Sequence, residues 1–186
     1  MKCRHCGKIV EHTFLDLGFS PMSNAYLTED TLTRPEKHYP LKIKVCNHCW
    51  LVQTEDYAKV DEIFSADYAY FSSTSTSWMA HAKHYTQTII TKLGLTQNSH
   101  VIEVASNDGY LLKNFIEVGI PCLGIEPTAS TAAVAKKLGI PVLQEFFGEA
   151  LGKRLVTEGK QADLIAANNV YAHVPDINDF TRGLKA

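Results

Sequence analysis

The sequence contains no apolar run approaching the roughly 20 residues that a transmembrane helix requires. It begins Met1-Lys2-Cys3-Arg4-His5-Cys6, which lacks the apolar core of a secretory signal peptide. It also lacks a basic excess, because 18 Lys and Arg stand against 20 Asp and Glu. These absences argue against a membrane partner and a nucleic-acid partner, and a cytoplasmic location is the default expectation.

The glycines of a dinucleotide-binding turn are also missing from a strand-turn-helix pattern at residues 101–112. A pyrophosphate needs G-x-G-x-x-G, so that it can approach the backbone at the helix N-terminus. The turn instead has Ala105 and Asn107, and only Gly109 remains. The pattern therefore indicates a nucleotide-type ligand off the end of the strand, without a pyrophosphate.

Binding turns for S-adenosylmethionine commonly read acid-x-G-x-G-x-G, and they hold no pyrophosphate, so bare backbone matters less. The segment from residue 103 to residue 109, E-V-A-S-N-D-G, fits this pattern with small or polar substitutes at two glycines. Glu126 follows Glu103 by 23 residues, where an acid accepts hydrogen bonds from ribose hydroxyls. The alternative for Glu126 is a solvated carboxylate at a strand end. The predicted cofactor ligands in the turn are Glu103, Ala105, Ser106, Asn107 and Gly109.

From residue 100 onward, predicted strands and helices alternate. The strands are predicted at residues 100–105, 122–126, 140–143 and 163–168, each followed by a helix. This order predicts an α/β fold with a parallel, Rossmann-like sheet. Only four strands fit before residue 186, so we expect an incomplete domain in an N-terminal fragment of a longer protein. The predicted divisions are a β-rich domain at 1–60, a connector at 61–95 and the Rossmann-like domain at 96–186.

The β-rich region carries two C-x-x-C knuckles, which together can supply four thiolates to one structural Zn²⁺. The predicted ligands are Cys3, Cys6, Cys46 and Cys49. Free thiols or a redox pair are the alternatives, and redox chemistry is disfavoured because neither pair opens a helix in a βαβ unit. Gly7 after the first knuckle favours a tight turn around the metal, and Trp50 after the second is expected to pack instead.

Two loops at the carboxyl ends of later strands add candidate site residues. Phe146 and Phe147 follow the third strand, where an aromatic face could stack on an adenine, although either could equally be core. Asn168 and Asn169 end the fourth strand and are candidate partners for a ligand ammonium or carboxylate. His173 titrates near neutral pH and is a candidate acid or base, with helix capping as the alternative.

Five motifs occur in order along nearly the whole chain. They are the paired knuckles, L-G-x-x-P-x-S-N from residue 17, D-Y-A-Y-F-S-S from residue 67, E-V-A-S-N-D-G from residue 103 and N-N-x-x-A-H-V-P-D-I from residue 168. In this combination the chain resembles the sugar C-methyltransferases of deoxysugar biosynthesis, such as the NDP-hexose 3-C-methyltransferases. The resemblance implies a zinc-binding domain, a class I methyltransferase domain that uses S-adenosylmethionine, and a further C-terminal domain.

The resemblance also implies a reaction on a nucleotide-linked 4-keto-6-deoxysugar. A base removes the C3 proton beside the ketone, and the enolate attacks the methyl group of S-adenosylmethionine. By motif, Tyr68 matches a family residue that could donate to the sugar oxygen, and His173 matches one that could assist proton transfer. The family's main base lies in a segment beyond residue 186, so we expect this chain alone to bind cofactor weakly and not to turn over.

Two other functions stay open on the sequence alone. One is an O- or N-methyltransferase acting on a small molecule, which needs no base able to form an enolate. The other is a non-catalytic scaffold that combines a zinc module with part of a Rossmann-like sheet.

Overall fold

The computed structural model describes residues 1–57 and 70–186, and these residues form two compact units. The first unit contains the described residues before Tyr70 together with Pro175–Asn178, and the second contains Tyr70–Val174 and Asp179–Ala186. The α/β class predicted from the sequence is confirmed. The predicted domain boundaries after residues 60 and 95 stay predictions.

The first unit is built on a three-stranded antiparallel sheet in the order β1-β2-β3, with β1 at Thr13–Ser20, β2 at Tyr39–Val45 and β3 at Val52–Thr54. Almost every β1 side chain is exposed. The buried core of this unit is small, because it consists of Cys3, Val10 and Cys46. A core of this size rarely stabilises a fold without a metal or a disulfide.

The second unit contains a four-stranded parallel sheet in the order β6-β5-β4-β7. Its strands are β4 at Val101–Val104, β5 at Cys122–Ile125, β6 at Val142–Leu143 and β7 at Leu164–Ala166. The predicted parallel sheet is therefore confirmed, with strands a little shorter than expected. Because β4 is an interior strand, the turn that follows it lies between the carboxyl ends of neighbouring strands and not at a lateral edge of the sheet.

Five α-helices occur among the described residues: α1 at Thr76–Leu93, α2 at Leu112–Glu117, α3 at Ala129–Lys137, α4 at Glu149–Thr157 and α5 at Ile177–Lys185. Ser75 caps α1, because its Oγ accepts the Trp78 N–H over 3.2 Å. In the part of the chain that the structure describes, no helix is long and apolar enough to span a bilayer.

Two apolar clusters cover opposite faces of the parallel sheet. One contains Val101 with residues of α1, α2 and α3, and the other contains Ile102 and Val104 with residues of α4 and α5. Side chains alternate between faces along a strand, so Glu103 points to the same face as Val101. An acidic side chain thus enters an apolar face of the sheet, and this placement sets the chemistry described below.

Candidate functional site

The first unit gathers its four knuckle cysteines into one cluster. The sulfur of Cys3 lies 3.6 Å from that of Cys49, and the sulfur of Cys6 lies 3.6 Å from that of Cys46. All four sulfur atoms lie within 4.8 Å of one another. A tetrahedral zinc ion with Zn–S bonds of about 2.3 Å needs its sulfurs about 3.8 Å apart, so the donor set fits structural Zn²⁺.

The two knuckles turn in the same way. The Gly7 N–H donates to the Cys3 carbonyl over 3.0 Å, and the Trp50 N–H donates to the Cys46 carbonyl over 2.8 Å. Both closing residues have a left-handed backbone, with φ at 73° for Gly7 and 64° for Trp50. The expectation that Trp50 packs instead of turning is wrong, because its side chain is 72% exposed. The close approach of the knuckle backbone to the sulfurs imposes the turn on whichever residue stands there.

Hydrogen-bond donors favour the thiolate form at Cys3 and Cys46, whereas burial and the neighbouring thiols raise the pKa of Cys49 to about 12. Burial acts to raise the pKa of the Cys3 thiol, but the N–H groups of Cys6 and His5 and the Gln53 amide lower it to about 6. The N–H groups of Cys49 and His48 lower the pKa of Cys46. Thiolates are the form in which cysteine binds zinc. Because four sulfurs complete a tetrahedron, the centre has no open position for catalysis.

Gln53 contacts the cluster from outside, and no pattern in the sequence indicated this role. Its Nε2 donates to Cys3 Sγ over 3.3 Å, and its Oε1 accepts the Arg4 N–H over 3.0 Å. The residue is buried and stands in β3, 50 residues from Cys3. Such a contact fixes the orientation of a metal ligand.

In the second unit, the turn after β4 has a left-handed backbone at every second residue. Left-handed φ values occur at Ala105 (57°), Asn107 (51°) and Gly109 (82°). At Gly109 a Cβ would also lie 2.3 Å from Ile140 Cδ1, so only glycine fits. Ser106 is fully buried, and its side chain lies so close to Gly124 that a Cβ there would be 2.5 Å from Ser106 Oγ. The turn is thus packed tightly between α3 and β5.

Glu126 follows β5 and is fixed beside this turn. Its Oε2 accepts the Asn107 N–H over 2.9 Å, and its Oε1 accepts the Thr128 N–H over 2.8 Å. Only 5% of Glu126 is exposed, so the solvated carboxylate considered as its alternative does not describe it. Each carboxylate oxygen accepts through two lone pairs, so one on each oxygen remains for a ligand hydroxyl.

Glu103 is the most deeply buried acid of the site. Neither of its carboxylate oxygens has a hydrogen-bond partner of normal geometry among the described residues. Burial raises the pKa of Glu103 well above 4.5, its ordinary value, and the charges of Asp108 and Glu126 raise it further. The Tyr110 hydroxyl and the Asn168 amide lie near enough to lower it by less. A buried carboxyl without a hydrogen-bond partner destabilises the folded protein unless a ligand supplies that partner.

The side chains of Asn107 and Asp108 point away from Glu126 to the segment just before α1. Asn107 Oδ1 accepts the Ser72 N–H over 2.9 Å, and its Nδ2 donates to the Tyr70 carbonyl over 3.0 Å. Asp108 Oδ2 accepts the Ser73 N–H over 3.0 Å. Asp108 was not among the predicted site residues, although it stands inside the predicted turn.

The two phenylalanines after β6 differ in environment. Phe147 is half-buried and meets the ring of Phe180 edge to face, with centroids 5.2 Å apart. Phe146 is 57% exposed. Of the pair, Phe146 has the free face that adenine stacking requires.

The loop after β7 holds the remaining candidates. Asn168 donates from Nδ2 to the Tyr110 hydroxyl over 3.0 Å, which joins this loop to the turn after β4. Asn169 has a left-handed backbone (φ 52°) and is exposed. His173 ends a short 3₁₀ turn, Tyr171–His173, and is exposed. Tyr68 lies outside the described residues.

The arrangement therefore brings together the turn residues, Glu126, and, through Tyr110, Asn168. Among the described residues, no hydrogen bond, ion pair or ring contact joins Phe146 or His173 to this group. Tyr110 could have been found as the aromatic residue directly after the turn.

The chain was compared with known proteins. Residues 3–64 match the Methyltransf_13 family, which is described as a zinc binding domain. The whole chain aligns at 28% identity with C-methyltransferase NovU of Streptomyces niveus, over 100% of this chain and 44% of that protein. The chain is therefore similar over its whole length to a C-methyltransferase. The resemblance predicted from the five motifs is thereby confirmed.

The chain spans less than half the length of the C-methyltransferase that it matches. A solved structure, that of the MccD protein, aligns with 52% of this chain and 34% of its own at 16% identity, with a TM-score of 0.26.

Proposed function

We propose that the chain forms the zinc-binding and cofactor-binding part of an S-adenosylmethionine-dependent C-methyltransferase. The proposed substrate is a nucleotide-linked 4-keto-6-deoxysugar, methylated at C3 through an enolate. The relationship to C-methyltransferases supports the reaction class. The observation that carries the choice of cofactor is the charge of the site after β4.

Three buried carboxyl groups meet at this site: Glu103, Asp108 and Glu126. Among the residues that the structure describes, no Lys, Arg or His forms an ion pair with any of them. A dianionic pyrophosphate would be repelled here, whereas a ligand with positive charge would be attracted. S-adenosylmethionine carries a sulfonium and an ammonium, and it brings two ribose hydroxyls that can donate to Glu126.

When bound, S-adenosylmethionine supplies an electrophilic methyl group. The residues of the chain bind and orient it. Glu126 accepts from the ribose, because its free lone pairs lie at the edge of the turn and its carboxylate is already fixed by two N–H groups. Glu103 offers a buried carboxyl whose charged form a cationic group would stabilise, and Phe146 offers a free aromatic face to the adenine. Ala105, Gly109 and Asn169 supply backbone where the chain turns.

The sugar chemistry needs a group that moves a proton near the methyl donor. His173 is exposed in the loop after β7, at the sheet edge where parallel sheets bind their ligands, and we assign it to assist proton transfer. Tyr68 is assigned to donate to the sugar oxygen. Removal of the C3 proton beside the ketone gives an enolate in which C3 is nucleophilic. An O- or N-methyltransferase would not require this step.

The cofactor assignment is tested by titrating the 186-residue chain with S-adenosylmethionine, S-adenosylhomocysteine and NAD⁺, followed by amide chemical shifts. We expect both sulfur ligands to shift the amides of residues 103–109, and NAD⁺ to leave them unchanged. Glu126→Gln should weaken binding at least about tenfold, because a ribose contact to a charged acceptor is lost. Glu117→Gln, an exposed glutamate on α2, is the matched control. Preferential binding of NAD⁺, or no binding of any ligand, would refute the assignment.

The reaction is tested on the longer protein that the resemblance implies, with 4-keto-6-deoxysugar nucleotides in D₂O. Enolate formation predicts deuterium at C3 and, with S-adenosylmethionine added, a new carbon-carbon bond at C3. Methylation at oxygen or nitrogen without C3 exchange would support the small-molecule O- or N-methyltransferase instead. Neither exchange nor methylation would support a scaffold.

A further inference from the structure

A short segment before α1 is fastened to the turn after β4. This segment, residues 70–74, is called the strap here. Three hydrogen bonds join its backbone to the turn: Ser72 N–H and the Tyr70 carbonyl to the Asn107 amide, and Ser73 N–H to Asp108. The side-chain amide of Asn107 therefore binds the strap through both an acceptor and a donor atom. Its two partners, Ser72 and Tyr70, lie 35 and 37 residues earlier in the sequence.

These three hydrogen bonds provide partners for backbone groups of the strap that have none within the strap itself. Residues 72–74 form a 3₁₀ turn that has no side-chain cap of its own. The first N–H groups of such a turn have no partner within it, and a carboxylate or amide oxygen is the usual acceptor. Ser72 is buried, so water does not substitute freely. The strap thus depends on the turn after β4 for its conformation.

Asn107 also contacts Glu126, the residue proposed to bind the cofactor. The Asn107 N–H donates to Glu126, while the Asn107 side chain holds the strap. The left-handed backbone of Asn107, with φ 51°, makes this possible, since it turns the N–H and the side chain to different neighbours. Any shift of Asn107 that adjusts the Glu126 contact therefore moves the anchors of Tyr70 and Ser72.

We propose that Asn107 and Asp108 are positioning residues that couple the strap to the occupancy of the cofactor site. The inference rests on the proposed function, because the ligand at Glu126 is taken to be S-adenosylmethionine or its product. Ligand binding fixes Glu126 and the turn, and the three bonds carry that order to the strap. By reciprocity, an ordered strap raises the affinity of the site for the ligand. Asn107 serves this role with its side chain, which bonds to Ser72 and Tyr70, while its backbone N–H bonds to Glu126.

The test measures amide hydrogen exchange at Ser72 and Ser73 by nuclear magnetic resonance, with and without S-adenosylhomocysteine. We expect the ligand to slow both amides at least about fivefold in the wild-type chain, which corresponds to about one hydrogen bond of added stability. Asn107→Gly removes the side chain without straining a left-handed backbone. It should speed Ser72 exchange about fivefold to tenfold without ligand and abolish the ligand effect at Ser72.

Two further variants separate the contributions of the individual hydrogen bonds to amide exchange at Ser72 and Ser73. Asn107→Asp keeps the acceptor for Ser72 and loses the donor to Tyr70, so Ser72 should retain most of its protection. Asp108→Asn should affect Ser73 more than Ser72. Asn98→Ala, in an exposed loop before β4, is the control and should change neither amide.

The outcomes separate the coupling from the proposed function. If the ligand protects Ser72 equally in wild type and Asn107→Gly, the coupling is refuted while ligand binding stands. If Asn107→Gly leaves Ser72 exchange unchanged without ligand, the anchor itself is refuted. If no shift of residues 103–109 accompanies any ligand, the proposed cofactor is refuted, and accelerated exchange in Asn107→Gly still reports the anchor.

Discussion

The side chain of Asn168 donates to the Tyr110 hydroxyl over 3.0 Å, and both groups lie close enough to the buried Glu103 carboxyl to lower its pKa. Burial outweighs them, so the pKa of Glu103 stays well above its ordinary value. The Tyr110 hydroxyl is itself held neutral, because burial and the charge of Glu103 raise its pKa above the ordinary tyrosine value. The charged form of the buried Glu103 carboxyl is therefore unfavourable unless a cationic ligand binds beside it.

The first prediction concerns the pH dependence of stability. For a carboxyl whose pKa is raised by folding, the unfolded chain loses its proton first. Stability therefore falls as pH rises from 4.5, the ordinary glutamate value, up to the folded pKa, and stays lower above it. Glu103→Gln cannot ionise, so this loss should disappear. Melting temperatures from pH 4 to pH 9 should show the variant gaining on wild type as pH rises.

A cofactor titration accompanies this measurement. Glu103→Gln should bind S-adenosylmethionine at least about tenfold more weakly than wild type, since it loses a charge-assisted contact. Glu117→Gln serves again as the exposed control. A variant that melts lower than wild type throughout the range would show that Glu103 stabilises the fold directly.

The general architecture was predictable because its causes are local. Alternating strand and helix patterns, with Gly119 and Gly139 ending helices before Pro121 and Pro141, are enough to predict a parallel sheet. Spacing alone also predicted Glu126 and the four cysteines. The cysteines do lie together, and Glu126 does meet the turn after β4.

Contacts between distant segments were not predictable in this way. The direction of the Asn107 side chain depends on a strap 35 residues earlier, and the role of Gln53 depends on a cysteine 50 residues away. Nothing in the periodicity of either segment reports these partners. The left-handed backbone of Trp50 was missed for a related reason, because tryptophan rarely adopts it and only the knuckle geometry demands it.

The second prediction concerns the support of the zinc site by Gln53. The chain should bind one zinc ion, and Gln53→Leu should keep it while releasing it to a chelator about tenfold to 100-fold faster, the usual cost of losing an outer partner of a metal ligand. Zinc transfer to a chromogenic chelator measures the rate. Gln97→Leu, an exposed glutamine in the loop after α1, is the control. An unchanged rate in Gln53→Leu would mean that the Cys3 contact does not restrain the metal.

The third prediction concerns Trp50, which has a left-handed backbone and an exposed ring. A bulky residue in this conformation costs about 1 kcal/mol or more, and glycine removes that cost. Trp50→Gly should therefore leave zinc content unchanged and raise the melting temperature of the first unit. Trp50→Ala keeps the strain and should not gain. Equal stability of the two variants would indicate that the knuckle is not strained at this position.

The fourth prediction concerns the close crossing of α4 and α5. A Cβ at Gly152 would lie 2.6 Å from the Gly183 carbonyl oxygen, which is too close for any contact of that kind. Gly152→Ala improves helix propensity by about 1 kcal/mol but forces the two helices apart, and overpacking of backbone against backbone costs about 1–3 kcal/mol. The variant should be less stable than wild type in urea unfolding.

Ala150→Gly isolates the helix-propensity part of this change, because Ala150 is exposed on the same helix. It should cost about 1 kcal/mol, the intrinsic difference between the two residues. Gly152→Ala must therefore lose more than it gains if the crossing is as tight as the distances indicate. Because the same crossing carries the apolar face of α4 onto the sheet, a Gly152→Ala protein that unfolds at higher urea than wild type would contradict this packing of the second unit.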